Sequence, residues 1–207
     1  MGRLEQVVAA ITIHRPLQDR EIGSIYKARI QMREFASANE WYRSHLGSGL
    51  EPLFGAWLEP VRAEGRPQYW QFDESRHTWE HRTFLPPGAG LVVIVATPDC
   101  EYSRELAQNI EADPELEALL RGRILWLASP YQQVTSAALS GWSRQHPQFP
   151  VALMDRRETW PFIDEIRVSP WIYWVKDGKA QHFDDFDQTL RELLRRDAGD
   201  TNPIPAD

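Results

Sequence analysis

Cys100 is the only cysteine in the chain, and it stands where a cysteine can become a nucleophile. It lies in Ala96-Thr97-Pro98-Asp99-Cys100-Glu101-Tyr102-Ser103-Arg104-Glu105-Leu106, directly after the apolar run Leu91-Val92-Val93-Ile94-Val95. A buried strand that breaks at a proline and then enters a helix places the sulfur at a helix N-terminus. The unpaired backbone N–H groups and the helix dipole there favour thiolate over thiol. Asp99 and Glu101, one on each side, act in the opposite sense by disfavouring a second negative charge. Further along, Val168-Ser169-Pro170 leads into a second strand-like run, Trp171-Ile172-Tyr173-Trp174-Val175, and the turn Lys176-Asp177-Gly178-Lys179.

The other candidates for chemistry are weaker. His77 and His81 are four apart, as two helix-borne ligands would be, but their surroundings are strand-like. On a strand they would share a face about 13 Å apart, with no acid or thiol cluster to complete a site, so no metal is expected. Asp184, Asp185 and Asp187 could hold a hard cation, yet acids suit the start of the last helix. Ser136, Ser140 and Ser143 lie in no Gly-x-Ser-x-Gly elbow, and there is no glycine-rich phosphate loop. No cofactor is implied.

The elements that must position Cys100 follow from periodicity. Leu4, Val7, Val8 and Ile11 share a helical face that ends at Arg15-Pro16. A second helix is predicted from about Glu21, with Ile25, Ala28, Met32, Phe35, Tyr42 and Leu46 near a helical period, stopping at Gly47-Ser48-Gly49. Residues 50–62 form a short apolar element interrupted by prolines. Tyr69–Phe72 and Thr78–Phe84 read as a hairpin around Asp73-Glu74-Ser75, and Pro86-Pro87-Gly88-Ala89-Gly90 marks a boundary.

After that boundary, strands at 91–96, 124–128 and 149–155 alternate with helices at about 103–109, 114–120 and 135–146. A short helix over 159–166, strands at 171–175 and 180–183, and a helix from about 186 to 196 complete the series. Alternation with short links argues a mostly parallel α/β sheet ending in an antiparallel hairpin. The expected organisation is a mainly helical N-terminal extension over 1–83, serving docking or dimerisation, a domain over 84–197 and a loose tail over 198–207.

Composition bounds the partners. The 207 residues carry a net charge of −7 with no basic stripe, which argues against nucleic acid. No apolar stretch approaches the length of a membrane helix. Val7–Ile13, the nearest to a signal-peptide core, is short and lacks a basic start and a cleavage site, so it reads as amphipathic helix. Nine tryptophans spread along the chain indicate core and interface packing rather than one platform.

With these residues in view, 84–197 resembles the thioredoxin-like superfamily. The order of elements is similar to the TlpA and ResA branch, whose extra strand before the cis-proline Phe149–Asp155 would supply. The segment Cys100-Glu101-Tyr102-Ser103-Arg104-Glu105-Leu106 is similar to the DsbC and DsbG motif, with serine in place of the second cysteine. The resemblance implies Cys100 as the attacking sulfur, Ser103 in the resolving position, and Pro98, Tyr102, Ser169 and Pro170 as the substrate groove, with Pro170 as the cis-proline. Ile94 replaces the buried Asp of thioredoxins proper. The spacing around Thr97 and Cys100 does not fit a peroxiredoxin.

Serine at 103 cannot expel a partner from a mixed disulfide. Three accounts stay open: an introduced serine that traps partners, a natural monothiol that works with an external thiol, or a fold retained for structure. The resemblance implies thiol–disulfide exchange with protein thiols or disulfides. Its expected partners include a membrane redox protein or secretion-system component and a second copy of the chain; its expected location is periplasmic or otherwise extracytoplasmic, with the cytoplasm as the other option. The alternative is a redox-inactive assembly protein of a conjugation or secretion system, similar to TraF.

Overall fold

The computed structural model describes residues 3–50, 56–57, 65–73, 76, 78–85, 90–129, 134, 136–163 and 170–199. Its centre is β4 (Leu91–Val95), whose residues are almost entirely buried. A strand covered on both faces reads as an unbroken apolar run rather than an alternation, which is what Leu91–Val95 shows. It pairs in parallel with β5 (Ile124–Ala128), and β5 in parallel with β6 (Val151–Met154). On its other side β4 pairs antiparallel with β7 (Trp171–Lys176), which forms a hairpin with β8 (Lys179–Phe183).

The crossovers are helical. α4 (Glu101–Glu111) and α5 (Pro114–Leu120) join β4 to β5, α6 (Ser136–Gln145) joins β5 to β6, and α7 (Gln188–Gly199) follows β8. A βαβ unit followed by a ββα unit, in the order β5-β4-β7-β8, is the thioredoxin-like arrangement. The α/β class expected from the alternation is therefore present, preceded among the described residues by three helices.

Those helices are α1 (Arg3–His14), α2 (Asp19–Gln31) and α3 (Phe35–Ser44). The single helix expected from about Glu21 to Leu46 is corrected here to two. Arg33 sits at φ 59°, its N–H donates to Ile30 O at 3.0 Å, and that of Glu34 donates to Arg29 O at 2.9 Å. This is a Schellman end built on an arginine instead of the usual glycine. The Arg33 side chain accounts for it: Nε donates to Met154 O at 2.8 Å, deep against the end of β6. Burial lowers its pKa to about 10, with Asp155 acting in the other direction.

The hairpin expected near residue 70 is β2 (Gln68–Asp73) with β3 (Thr78–Thr83), and it continues the same sheet. β2 pairs antiparallel with β6 through Tyr69↔Met154 and Trp70↔Leu153. β1 (Ala56–Trp57) adds to β3, giving among the described residues the order β1-β3-β2-β6-β5-β4-β7-β8. The N-terminal region is thus joined to the sheet by backbone hydrogen bonds and by the Phe35–Trp70 edge-to-face contact at 5.1 Å.

One face of the sheet packs Val92, Ile94 and Ile172 against Ala107, Ile110, Leu120, Leu190 and Leu194 from the helices. The opposite face packs Val93, Val95, Leu127 and Met154 against Phe84, Trp160 and Ile163. The short helix expected over 159–166 is corrected to a 3-10 turn at Arg157–Thr159. Trp160 is anchored there by donating Nε1–H to Gln68 O at 3.2 Å, which holds the chain against β2 rather than in a helix. Residues 164–169 lie outside the described residues.

Candidate functional site around Cys100

β4 ends at Val95, and Thr97 to Asp99 turn the chain into α4. The Cys100 N–H donates to Thr97 O at 3.0 Å, closing that turn. Cys100 is the N-cap residue of α4, extended at φ −77° and ψ 128°, and its carbonyl accepts from Arg104 N at 3.2 Å. The helix begins two residues earlier than the predicted Ser103. The half-buried sulfur therefore stands at the open end of the helix, with Asp99 and Glu101 exposed on each side.

Ser103 is fully buried on the first turn, on the face that continues through Ala107 and Ile110. Pro98 is buried beneath the turn, whereas Tyr102 is 66% exposed. Ile94, in the position of the thioredoxin acid, is buried among the apolar residues under α4. No buried carboxylate therefore stands at that position to carry protons to or from the sulfur.

Pro170 reaches the site through register. Val95 pairs with Trp171, so the preceding residue, Pro170, stands level with Ala96 where β4 gives way to the cysteine turn. Cys100, Ser103, Pro98 and Pro170 are thus gathered at the carboxyl end of β4. Ser169 lies outside the described residues.

The same topology places groups there to which the sequence reading gave no redox role. β8 is antiparallel to β7 and therefore parallel to β4, so the loop after Phe183 emerges at the Cys100 end. It carries Asp184, with a fully exposed side chain, and Asp185. Asp187 accepts from Leu190 N at 2.9 Å and caps α7, so it serves the helix start, the plainer of its two expected roles. The legible signal was strand parity: two antiparallel steps from β4 return the chain to the same end. Trp171 and His182 are also neighbours here, with ring centroids 4.9 Å apart.

His81 lies elsewhere, with a 1% exposed side chain and Nε2 3.6 Å from Asp155. His77 lies outside the described residues. No group of three or more metal-ligating side chains occurs among the described residues. No described helix is long and apolar enough to cross a membrane.

No family model matches the chain, and no curated protein matches it. Solved structures do. A thio-disulfide isomerase from Thermus thermophilus is 13% identical, with 68% of this chain and 97% of that one covered at a TM-score of 0.42. A thioredoxin-like protein from Bacteroides caccae is 13% identical over 86% of this chain and 78% of that one, at 0.40. The C-terminal domain of an uncharacterised Bacteroides fragilis protein is 14% identical over 69% and 97%, at 0.41. The thioredoxin-like class itself is defined by the strand order and crossovers described above.

Proposed function

We propose that this chain carries out thiol–disulfide exchange with protein partners through Cys100, in a monothiol form. The observation that supports it best is the placement of a half-buried cysteine at the N-cap of α4, with Ser103 buried on the first turn and Pro170 level with the end of β4. The Cys100 thiolate attacks a disulfide sulfur, the S–S bond breaks, and the departing sulfur leaves as a thiolate that takes up a proton from solvent. The product is a mixed disulfide on Cys100. Ser103 has no sulfur with which to resolve it, so an external thiol must attack and return Cys100 to its reduced form.

The partners in this reading are protein thiols or disulfides in an extracytoplasmic compartment. The test is the rate of Cys100 reaction with a small disulfide from pH 4 to 10, compared with Ser103→Cys. Cys100 reacting faster than a free thiol at neutral pH, with catalytic turnover of a test protein created by Ser103→Cys, is the expected result. A thiol that reacts only in the range of an ordinary cysteine, with no turnover in either form, would sink the proposal and leave an assembly role for the fold.

A further inference from the structure

We infer that the disulfide partner of Cys100 is cationic next to its reactive sulfur, and that the exchange site discriminates against glutathione. This deepens the exchange reading and rests on it. Asp99 and Glu101 flank the sulfur, Glu105 follows on the next turn of α4, and Asp184 and Asp185 emerge from the loop after β8. That loop is two strand positions from β4, about 10 Å across the sheet.

Among the described residues, Asp99, Glu101, Glu105 and Asp185 form no ion pair, and Asp184 reaches only His182 at 3.9 Å. Arg104 is the one cation within α4. Among the described residues, the surface around Cys100 therefore carries an excess of negative charge, drawn from two separate elements.

A groove of about 540 Å³ extends this surface along α4, with Glu101, Arg104, Glu105, Gln108, Glu111 and His146 among its lining. His146 is 3% exposed, its Nδ1 lies 2.8 Å from Glu111 Oε1, and Nε2 has no hydrogen-bond partner among the described residues. Gln148 Nε2 donates to the same Glu111 oxygen at 2.6 Å. The far end of the groove thus holds a carboxylate fixed by its neighbours, while Glu101 and Glu105 lie open nearer the sulfur. An extended segment bearing Lys or Arg beside its cysteine matches this run of charge.

Each unit-charge pair about 10 Å apart in water changes a rate roughly twofold. Several acids together should change it about tenfold, and salt should erase the effect. The experiment uses the whole chain and three small disulfides: cystamine (cationic), glutathione disulfide (anionic) and 2-hydroxyethyl disulfide (neutral). Each rate is divided by that of 2-mercaptoethanol with the same disulfide.

The expected result is a cystamine preference over glutathione disulfide of about tenfold at low ionic strength, collapsing to below about threefold near 1 M salt. The double variant Glu105→Gln with Asp184→Asn should cut the ratio of the cystamine rate to the glutathione disulfide rate about threefold. A salt-independent ratio near one overturns the inference. A neutral-disulfide rate no faster than that of the reference thiol overturns the exchange reading instead, whatever the charge ratio.

Discussion

Replacing Gly90 with Ala tests how rigidly the C-terminal helix is fixed to the sheet. Gly90 precedes β4 at φ 64°, and a Cβ there would lie 2.2 Å and 2.3 Å from Cζ2 and Cη2 of Trp174 and 2.8 Å from Asp197 Oδ2. None of these atoms belongs to a loose side chain. Trp174 is 6% exposed with the Arg123 guanidinium 5.4 Å from its ring centroid, and Asp197 accepts from Lys176 Nζ at 2.6 Å. The left-handed conformation costs an alanine about 1–2 kcal/mol, and overpacking a filled core adds about 1–3 kcal/mol. Gly90→Ala should therefore lose about 2–5 kcal/mol.

Gly122→Ala is the control, since Gly122 has φ 69° with no atom within 4 Å of its Cβ position. It should lose only the backbone part. Urea unfolding followed by tryptophan fluorescence, at constant m-value, measures both. Equal losses would show that Trp174 and Asp197 retreat at little cost, and the view of α7 as rigidly pinned against β7 would be wrong.

Other perturbations reach different parts of the chain. Asp197→Ala removes the carboxylate that accepts from Lys176 Nζ and lies 3.5 Å from Arg123 Nη2; breaking this part-buried charge cluster should cost about 2–4 kcal/mol by chemical denaturation. Glu21 accepts from both terminal nitrogens of Arg15, at 2.6 and 2.7 Å, and from Gln18 N–H, which lowers its pKa to about 2. Because the folded value lies below the ordinary one, the ionised carboxylate supports the fold above the usual carboxylate range, and that support is lost as pH falls towards about 2. Carboxyl ¹³C titration should report the low midpoint and its return to the ordinary range in Arg15→Gln. Gly141→Ala, inside α6 with open space at its Cβ, should stabilise by about 0.5–1 kcal/mol, read as a higher thermal midpoint.

Much of the fold could be read from the sequence because its signals are local. Leu91–Val95 and Ile124–Ala128 are runs that suit doubly covered strands, and the Lys176–Lys179 turn carries Asp177 and Gly178, which adopt positive φ. The break between α2 and α3 was hidden because nothing nearby says so. Its left-handed residue is Arg33, and the reason for that conformation is a hydrogen bond to Met154, far away in the chain. Trp160 misled in the same manner: a helical pattern gave way to a contact with Gln68. At the candidate site, the place of Cys100 at a helix start was legible from the strand, proline and helix pattern, whereas the role of Ser103 came from the resemblance alone. The acids at Asp184 and Asp185 gained meaning only once the antiparallel order β4-β7-β8 brought their loop to the cysteine end.

The seam between β2 and β6 also bears on how the chain is made. On the ribosome the first helices and the β2–β3 hairpin emerge well before Val151–Met154, the strand they must join. Until then Trp70 and Trp79, each at most 2% exposed in the finished protein, have no sheet to cover them. At about 5–20 residues per second, that interval lasts several seconds. A nascent chain with uncovered indoles and an unpaired strand edge is the kind of species that aggregates or is held by chaperones. Slowing synthesis between residues 84 and 150 should therefore lower soluble yield more than slowing it after β6 is complete.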